Sequence, residues 1–316
     1  MTQNDPQGHN AHHPLAIPPA GWWAIAKRTY AQAGEDNLGL IAAGVAFYGF
    51  LALVPLLGAL VLVYGLVLDP AEISRQLSAI APLLPQEVIA LLREQLDALI
   101  ATSAGKKGLG LLASIGLAMF GAMKGAGAVV TALNIAFEEK DKRGFIAGNL
   151  TNAAITAGAI LLALVLMSAT VAGHMMEDWI SPLSPLAASL IKLAGWAVAT
   201  ALSTAALAAL FRYGPSRANA RWRWLTPGSL VATLGLLATS SAFGWYAAHF
   251  GNYNATYGSL GGIVVVLMWL YLSTYVVLLG AELNAEIEHQ TAVDTTTGPE
   301  LPMGQRKAEM ADCVAE

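Results

Sequence analysis

The sequence predicts an all-α protein that crosses a membrane six times. Of its 316 residues, 56% are hydrophobic and 12% are charged, which is about half the charged share of a soluble domain. Stretches free of Asp, Glu, Lys and Arg alternate with short charged segments. These stretches are long enough for the roughly 20 apolar residues that a helix needs to cross a bilayer. The protein is therefore expected to be an integral membrane protein.

The chain begins with a polar segment and a short surface helix. Residues 1–20 have no apolar core and no basic start, so they do not resemble a secretory signal, and we expect a disordered cytoplasmic tail. Apolar side chains then recur at helical spacing beside Lys27 and Arg28, at Trp22, Ala26, Tyr30 and Ala33. This pattern is typical of an amphipathic helix that lies on the membrane surface.

The membrane domain is predicted over residues 21–289. Its six spans are expected at residues 40–66, 109–136, 148–173, 190–211, 226–249 and 259–284. The last two come from one uncharged stretch, which turn-forming Gly and Asn residues divide at positions 251–258. Between the first two spans, residues 70–107 are predicted to form an amphipathic helical segment on the outer face. Residues 290–316 are expected to be a second disordered cytoplasmic tail.

The distribution of positive charge predicts the orientation. With a cytoplasmic N-terminus, eleven of the 17 Lys and Arg residues fall in inside segments and five in outside segments. This agrees with the excess of positive charge in cytoplasmic loops of membrane proteins. An even number of spans then places both termini in the cytoplasm.

Lys124 is the ionisable residue that the sequence places deep inside a span. Such residues are functional candidates by default, and we expect it to face a polar interior or a wet cavity. It could bind a phosphate or carboxylate head group, or be a structural lysine that backbone carbonyls and water satisfy. With Pro55, which should kink the first span, and Asn254 and Tyr257 near the outer ends of the last spans, it forms a candidate substrate pathway. Glu282 is expected near the inner interface, too far for an ion pair with Lys124.

A basic patch follows the fourth span. Its arginines are interleaved with aromatic residues, an arrangement that suits anionic lipid head groups at the membrane surface; they are Arg212, Arg217, Arg221 and Arg223. RNA binding is a weaker interpretation, because the orientation of the chain already explains the positive charge, and the net charge of −4 gives no basic footprint for nucleic acid.

The sequence contains none of the common catalytic motifs that we sought. It lacks a phosphate-binding loop ending in Lys-Ser/Thr, a Gly-x-Ser-x-Gly elbow and a His-Glu-x-x-His pair. The single cysteine, Cys313, excludes an internal disulfide framework and a cysteine-based zinc site, and the three histidines outside the N-terminal tail lack metal-ligand spacing. We therefore expect no enzyme activity, no cofactor and no metal.

Three segments resemble the YihY/BrkB family of bacterial inner-membrane proteins. They are AAGVAFY at 42–48, ALN at 132–134, and the region from YGSLG at 257–261 to GAELNAE at 280–286. The motif residues that carry the resemblance include Phe47, Tyr48, Asn134, Gly258, Glu282 and Asn284. The resemblance implies six helices with both termini inside, a role in envelope integrity, and lipid transport as a proposed activity. Some family members carry a "ribonuclease BN" label, which we interpret as a mis-assignment.

The sequence thus favours a transporter or flippase for an amphipathic, anionic, lipid-like envelope substrate. The alternative is an envelope-integrity protein that scaffolds an assembly without transport, and a ribonuclease is the least favoured class. The expected partners are membrane lipids, with other envelope proteins or a second copy as further candidates, and no nucleic acid. No carboxylate is expected at the midplane, which argues against proton coupling.

Overall fold

The computed structural model describes residues 5–64, 109–180, 185–250 and 261–315, with five isolated positions between 78 and 97. The helices in these ranges, in chain order, are α1 (Pro19–Glu35), α2 (Leu38–Tyr64), α3 (Leu109–Ala136), α4 (Phe145–Ile180), α5 (Pro185–Tyr213), α6 (Trp222–Phe250), α7 (Gly261–His289) and α8 (Glu309–Asp312). A 3-10 turn over Pro14–Ala16 precedes α1. The outer segment 70–107, apart from the isolated positions, and Asn254, Tyr257 and Gly258 lie outside the described residues.

The all-α polytopic membrane fold is confirmed. Within the described ranges, five helices are long and apolar enough to cross a membrane, and the pair α1 and α2, bent by 65°, gives a sixth candidate. The bend falls at Asn37, whose φ of 53° is left-handed, a conformation that asparagine adopts more readily than most residues. The surface helix and the first span of the sequence prediction correspond to the two arms of this bent pair.

Helix α7 is the centre of the bundle. It contacts α1, α2, α3 and α6, while α3 also packs against α2 and α4, and α5 packs against α6. Leu278, Ala281 and Ala285 of α7 join a buried core with Leu133 and Phe137 from the end of α3. Because these residues lie near the C-terminal end of α7, much of the described core is at that end of the bundle.

Helices α6 and α7 approach each other closely where two glycines meet. A Cβ atom built on Gly228 would overlap the carbonyl oxygen of Gly280, and one built on Gly280 would lie 2.6 Å from the Cβ of Ala232. Small residues at a crossing allow two membrane helices to bring their backbones together. This contact fixes the register between α6 and α7.

The two chain ends differ from the expected disordered tails, because they pack on each other and on the end of α7. The carbonyl of His9 accepts a hydrogen bond from the amide of Ala292 (2.7 Å), and the Gln290 amide nitrogen donates to the carbonyl of Gln7 (2.8 Å). Asp294 accepts hydrogen bonds from Thr296 and from the Leu301 amide. The polar composition of these segments suggested disorder, but their polar side chains form hydrogen bonds with backbone amides and carbonyls of the turns. We call this end of the bundle the termini end.

Candidate functional site

Four polar residues in the last turns of α7 are buried at the termini end: Glu282, Asn284, Glu286 and Glu288. The sequence places Glu282 near an interface, and the structure does position it in the penultimate turns of the helix. Its side chain, however, points into the bundle and is fully buried. The helical spacing to Leu278 and Ala285 is the sequence signal for this burial, because all three positions share one face.

Glu282 is the residue in this group that lacks a partner. Neither carboxylate oxygen accepts a hydrogen bond within the described part of the chain, and the negative groups of Asp36, Glu138 and Glu286 lie near it. Asp36 also has one buried oxygen, Oδ2, without a hydrogen bond. We call Asp36, Glu138, Glu282 and Glu286 the acidic cluster. No local sequence pattern predicts this cluster, because its members come from three elements that are far apart in the chain.

The outer part of the acidic cluster borders a hydrogen-bonded surface. Gln32 Nε2 donates to Asp36 Oδ1 (3.3 Å) and to Glu138 Oε1 (3.2 Å), which joins the end of α1 to the end of α3. Partial burial raises the pKa of Glu138, and the negative charge of Asp36 raises it further. Burial also raises the pKa of the neighbouring Glu139, although the amide of Glu309 donates to its carboxylate. Both groups therefore take up protons at higher pH than a carboxyl group with its ordinary pKa.

Two arginines neutralise the other buried carboxylates of α7. Arg28 of α1 lies 2.6 Å from Glu286 and also donates to Gln290 (2.6 Å), so it holds α1 against α7. Arg217 lies 2.6 Å from Glu288, and both side chains are fully buried. These pairs tie the loops of the termini end to the central helix.

The asparagines of the family motif join neighbouring elements. Asn284 accepts a hydrogen bond from the amide of Gly228 (2.8 Å) and donates to the carbonyl of Leu225 (2.9 Å), which locks α7 to α6. Asn134 accepts a hydrogen bond from the amide of Ser216 (2.7 Å) in the loop after α5. The motif residues therefore include structural contacts, a role that the resemblance did not assign to them.

Replacing Asn284 with alanine should lower the free energy of unfolding by about 2 kcal/mol, because two buried hydrogen bonds of roughly 1 kcal/mol each are lost. Thermal unfolding of the detergent-solubilised protein measures the change. Asn149→Ala is the matched control, since Asn149 is half-buried and its side chain makes an exposed hydrogen bond to the carbonyl of Phe145 in its own helix. Equal stability of the two variants would contradict a locking role for Asn284.

The basic patch differs from the expected set of four lipid contacts. Arg212 is buried, donates to the carbonyl of Ala220 and lies over the rings of Tyr213 and Trp222. Arg217 pairs with Glu288, and Arg221 donates to the carbonyl of Thr296 (2.9 Å). Of the four arginines, Arg223 is the one with an exposed side chain. The other three guanidinium groups bind loop carbonyls or a buried carboxylate instead of facing lipid. The spacing of the arginines in the sequence does not predict these partners.

Lys124 differs from its expected position in a polar interior. Its side chain is exposed on the outer surface of α3, and its ammonium nitrogen lies 5.3 Å from the centre of the Phe120 ring. The adjacent Gly125 faces Ala52 of α2 instead. The lysine therefore lies about 100° around α3 from the face that meets α2 at this level, because a helix has 3.6 residues per turn. Helix α2 continues through Pro55, whose side chain lies outside the described positions.

Phe47 and Tyr48 lie on α2 and are about half exposed, with their ring centroids 5.6 Å apart in an edge-on contact.

A groove with a volume of about 730 Å³ lies between α5 and α6, and the sequence did not indicate it. Aromatic, aliphatic and threonine side chains line it, among them Trp196, Thr200, Thr204, Trp222 and Leu230. Among the described residues, no group of three His, Cys, Asp or Glu side chains is spaced to hold a metal ion.

Comparison with known proteins places this arrangement in a family. The family model described as virulence factor BrkB matches residues 29–303. The chain is 28% identical over 275 residues to a UPF0761 membrane protein of Tolumonas auensis, covering 85% of this chain and 87% of that protein. A UPF0761 membrane protein of Rhodospirillum centenum is 29% identical over 84% of this chain and 58% of its own length.

A third relative carries a different name. The ribonuclease-like protein YfkH of Bacillus subtilis is 34% identical over 182 residues, which cover 56% of this chain and 66% of that protein. No solved structure gives a significant match. The family match extends from α1 to the C-terminal segment and includes the acidic cluster, the asparagine contacts and Lys124. The chain belongs to the virulence factor BrkB family of membrane proteins.

Proposed function

We propose that the protein transports or flips amphipathic anionic lipids across the bacterial inner membrane, with both termini in the cytoplasm. The observation that carries the proposal is the exposed ammonium of Lys124 on a membrane-spanning segment. Twelve residues separate Lys124 from Ala136, the last residue of that segment, or roughly 18 Å along the helix axis at 1.5 Å per residue. The charge therefore lies far from the termini end.

An exposed ammonium at this depth needs a partner. A lysine at the centre of a spanning helix costs about 2.5–3.5 kcal/mol on the scales measured by membrane insertion. A cation over an aromatic ring recovers roughly 0.5–2 kcal/mol, so the contact with Phe120 offsets part of this cost. The phosphate of an anionic lipid would offset more, because it supplies charge-assisted hydrogen bonds. This favours a lipid head group that meets Lys124 during its passage.

The groove between α5 and α6 supports a lipid-like substrate. Its lining is mostly apolar, with threonine hydroxyls along the wall, and Trp222 lies next to the exposed Arg223 at its termini end. Acyl chains suit such a wall, and an arginine beside it suits the head group. The sequence contains none of the nucleotide-binding motifs that we sought, so the proposal includes no ATP hydrolysis and no enzymatic step.

Lipid movement in proteoliposomes tests the proposal. The vesicles contain phosphatidylethanolamine, phosphatidylglycerol and a trace of fluorescently labelled phosphatidylglycerol, whose exposure to an external quencher reports movement between leaflets. Lys124→Ala should slow this movement roughly tenfold, because losing one charge-assisted hydrogen bond costs about 1.5 kcal/mol. Lys124→Arg should retain most of the rate. Lys27→Ala is the control, since Lys27 is an exposed lysine of α1.

The second candidate is a scaffold that supports the envelope without moving lipids. The dense bonding of Arg28, Asn134, Asn284 and Arg217 at the termini end favours it, because these residues stabilise a fixed arrangement. A scaffold predicts no lipid movement above that of empty vesicles for any variant. Equal movement in the wild-type protein and in Lys124→Ala would retain transport and remove Lys124 from the route.

A further inference from the structure

We infer that the acidic cluster is a proton-binding site in which Glu282 carries the proton. The inference goes beyond lipid movement, because it concerns the ligand of a buried carboxyl group and holds for a transporter and for a scaffold alike. It rests on the burial of Glu282, on its missing partner and on the charges around it.

The three buried glutamates of α7 provide an internal comparison. Glu286 and Glu288 each have an arginine 2.6 Å away, and Glu288 also accepts a hydrogen bond from Thr295 (2.8 Å). Glu282 is equally buried, yet neither of its oxygens has a hydrogen-bond donor among the described residues. An isolated carboxylate is very costly to bury, and such a group takes up a proton instead.

The surrounding charges favour the same state. The negative groups that act on Glu282 come from three elements. Asp36 follows α1, Glu138 follows α3, and Glu286 lies on α7 itself, while His289 of α7 and Glu309 of α8 act on Glu138. The nearby cation, Arg28 of α1, is already bonded to Glu286 and Gln290. Among the described residues, a negative charge on Glu282 would therefore have no cation bonded to it.

A proton fits the cluster better than a metal ion does. No three acidic or histidine side chains in the described part of the chain are close enough together to hold a metal. A protonated Glu282 gains one O–H donor, and Asp36 Oδ2, a buried acceptor with no other hydrogen bond, lies in the same cluster. Binding transfers one proton from water to the Glu282 carboxylate and lowers the negative charge of the cluster by one. Release returns that proton to water.

The burial of the cluster members gives the proton a route. Glu138 is exposed, Asp36 is half-buried and Glu282 is fully buried, so the carboxyl groups lead from the surface to the core. Gln32 bridges the first two. The exposed member of this series, Glu138, lies at the termini end.

Infrared spectroscopy of the full protein, reconstituted in phosphatidylethanolamine and phosphatidylglycerol vesicles, tests the inference. The C=O stretch of a protonated carboxylic acid is distinct from that of a carboxylate, and it shifts in D₂O. At neutral pH the wild-type protein should show this band, and Glu282→Gln should lose it. Glu300→Gln, which changes an exposed glutamate of the C-terminal segment, should retain it. A band that is absent from the wild-type protein, or that persists in Glu282→Gln, would overturn the inference.

A second variant covers the case in which Glu282→Gln does not fold. Asp36→Asn removes one negative neighbour and leaves Glu282 in place, so the pH at which the band disappears should fall. An unchanged titration of the band would overturn the role of the cluster. Because neither spectrum requires lipid movement, failure of this inference is distinct from failure of the transport proposal.

Discussion

Replacing Arg217 with leucine is expected to lower the free energy of unfolding by about 3–5 kcal/mol, since the change leaves a buried charge unpaired. The guanidinium lies 2.6 Å from Glu288, both side chains are fully buried, and the arginine also stacks over Phe137 at 4.2 Å. The leucine could replace the contact with the ring and could not replace the charge. Thermal unfolding in detergent, followed by tryptophan fluorescence, measures the loss.

An ion pair in the same region with one exposed member serves as the control. Lys142 lies 3.9 Å from Glu139 and its side chain is 71% exposed, while the buried Glu139 keeps the hydrogen bond from the Glu309 amide when the lysine is removed, so Lys142→Ala should change stability by no more than about 1 kcal/mol. The double variant Arg217→Leu with Glu288→Leu should recover much of the stability, because it removes both buried charges. If Arg217→Leu costs no more than Lys142→Ala, the buried pair does not stabilise the termini end.

Replacing Gly228 with alanine is expected to destabilise the protein by about 3 kcal/mol, at the upper end of the usual cost of overpacking. The added methyl group would overlap the backbone oxygen of Gly280 and lie 2.5 Å from the side-chain amide carbon of Asn284. A backbone oxygen cannot rotate away as a side chain can, so α6 and α7 must separate. Their separation should also weaken the hydrogen bond between Gly228 and Asn284.

Gly244→Ala is the matched control for this substitution. Gly244 lies on the same helix α6, and a Cβ atom placed there would meet no atom within 4 Å. Its thermal unfolding midpoint should therefore stay close to that of the wild-type protein. Equal unfolding midpoints for the two alanine variants would show that the crossing of α6 and α7 can accommodate a methyl group, which would contradict the close contact in the structure.

The membrane fold could be predicted from the sequence because each segment that crosses a bilayer must by itself be nearly free of charged residues. Long gaps between charged residues therefore indicate spans without knowledge of tertiary contacts. The sequence also contains a strong local signal at the bend after α1, where Asp36 and Asn37 interrupt the apolar pattern. The family followed from the same residues, and the match over residues 29–303 confirms it.

The site could be predicted only in part, because it depends on which face of each helix turns inward. Lys124 lies on a candidate span, but its side chain is exposed, while the adjacent Gly125 meets Ala52 of α2. The burial of Glu282 and the pairing of Arg217 with Glu288 depend on elements far apart in the chain. Polarity alone predicted disordered tails, whereas turn hydrogen bonds and contacts between the two ends order them.

The ion pair between Arg28 and Glu286 has a consequence for biogenesis. The two residues are separated by 258 positions in the chain, so α1 leaves the ribosome long before its partner exists. Until α7 is made, Arg28 has no Glu286 to pair with, and the exposed Trp23 and Tyr30 of α1 are residue types that suit the lipid–water boundary. The chain ends join only after the last span is in place. The termini end, with its acidic cluster, is therefore the final part of the protein to assemble.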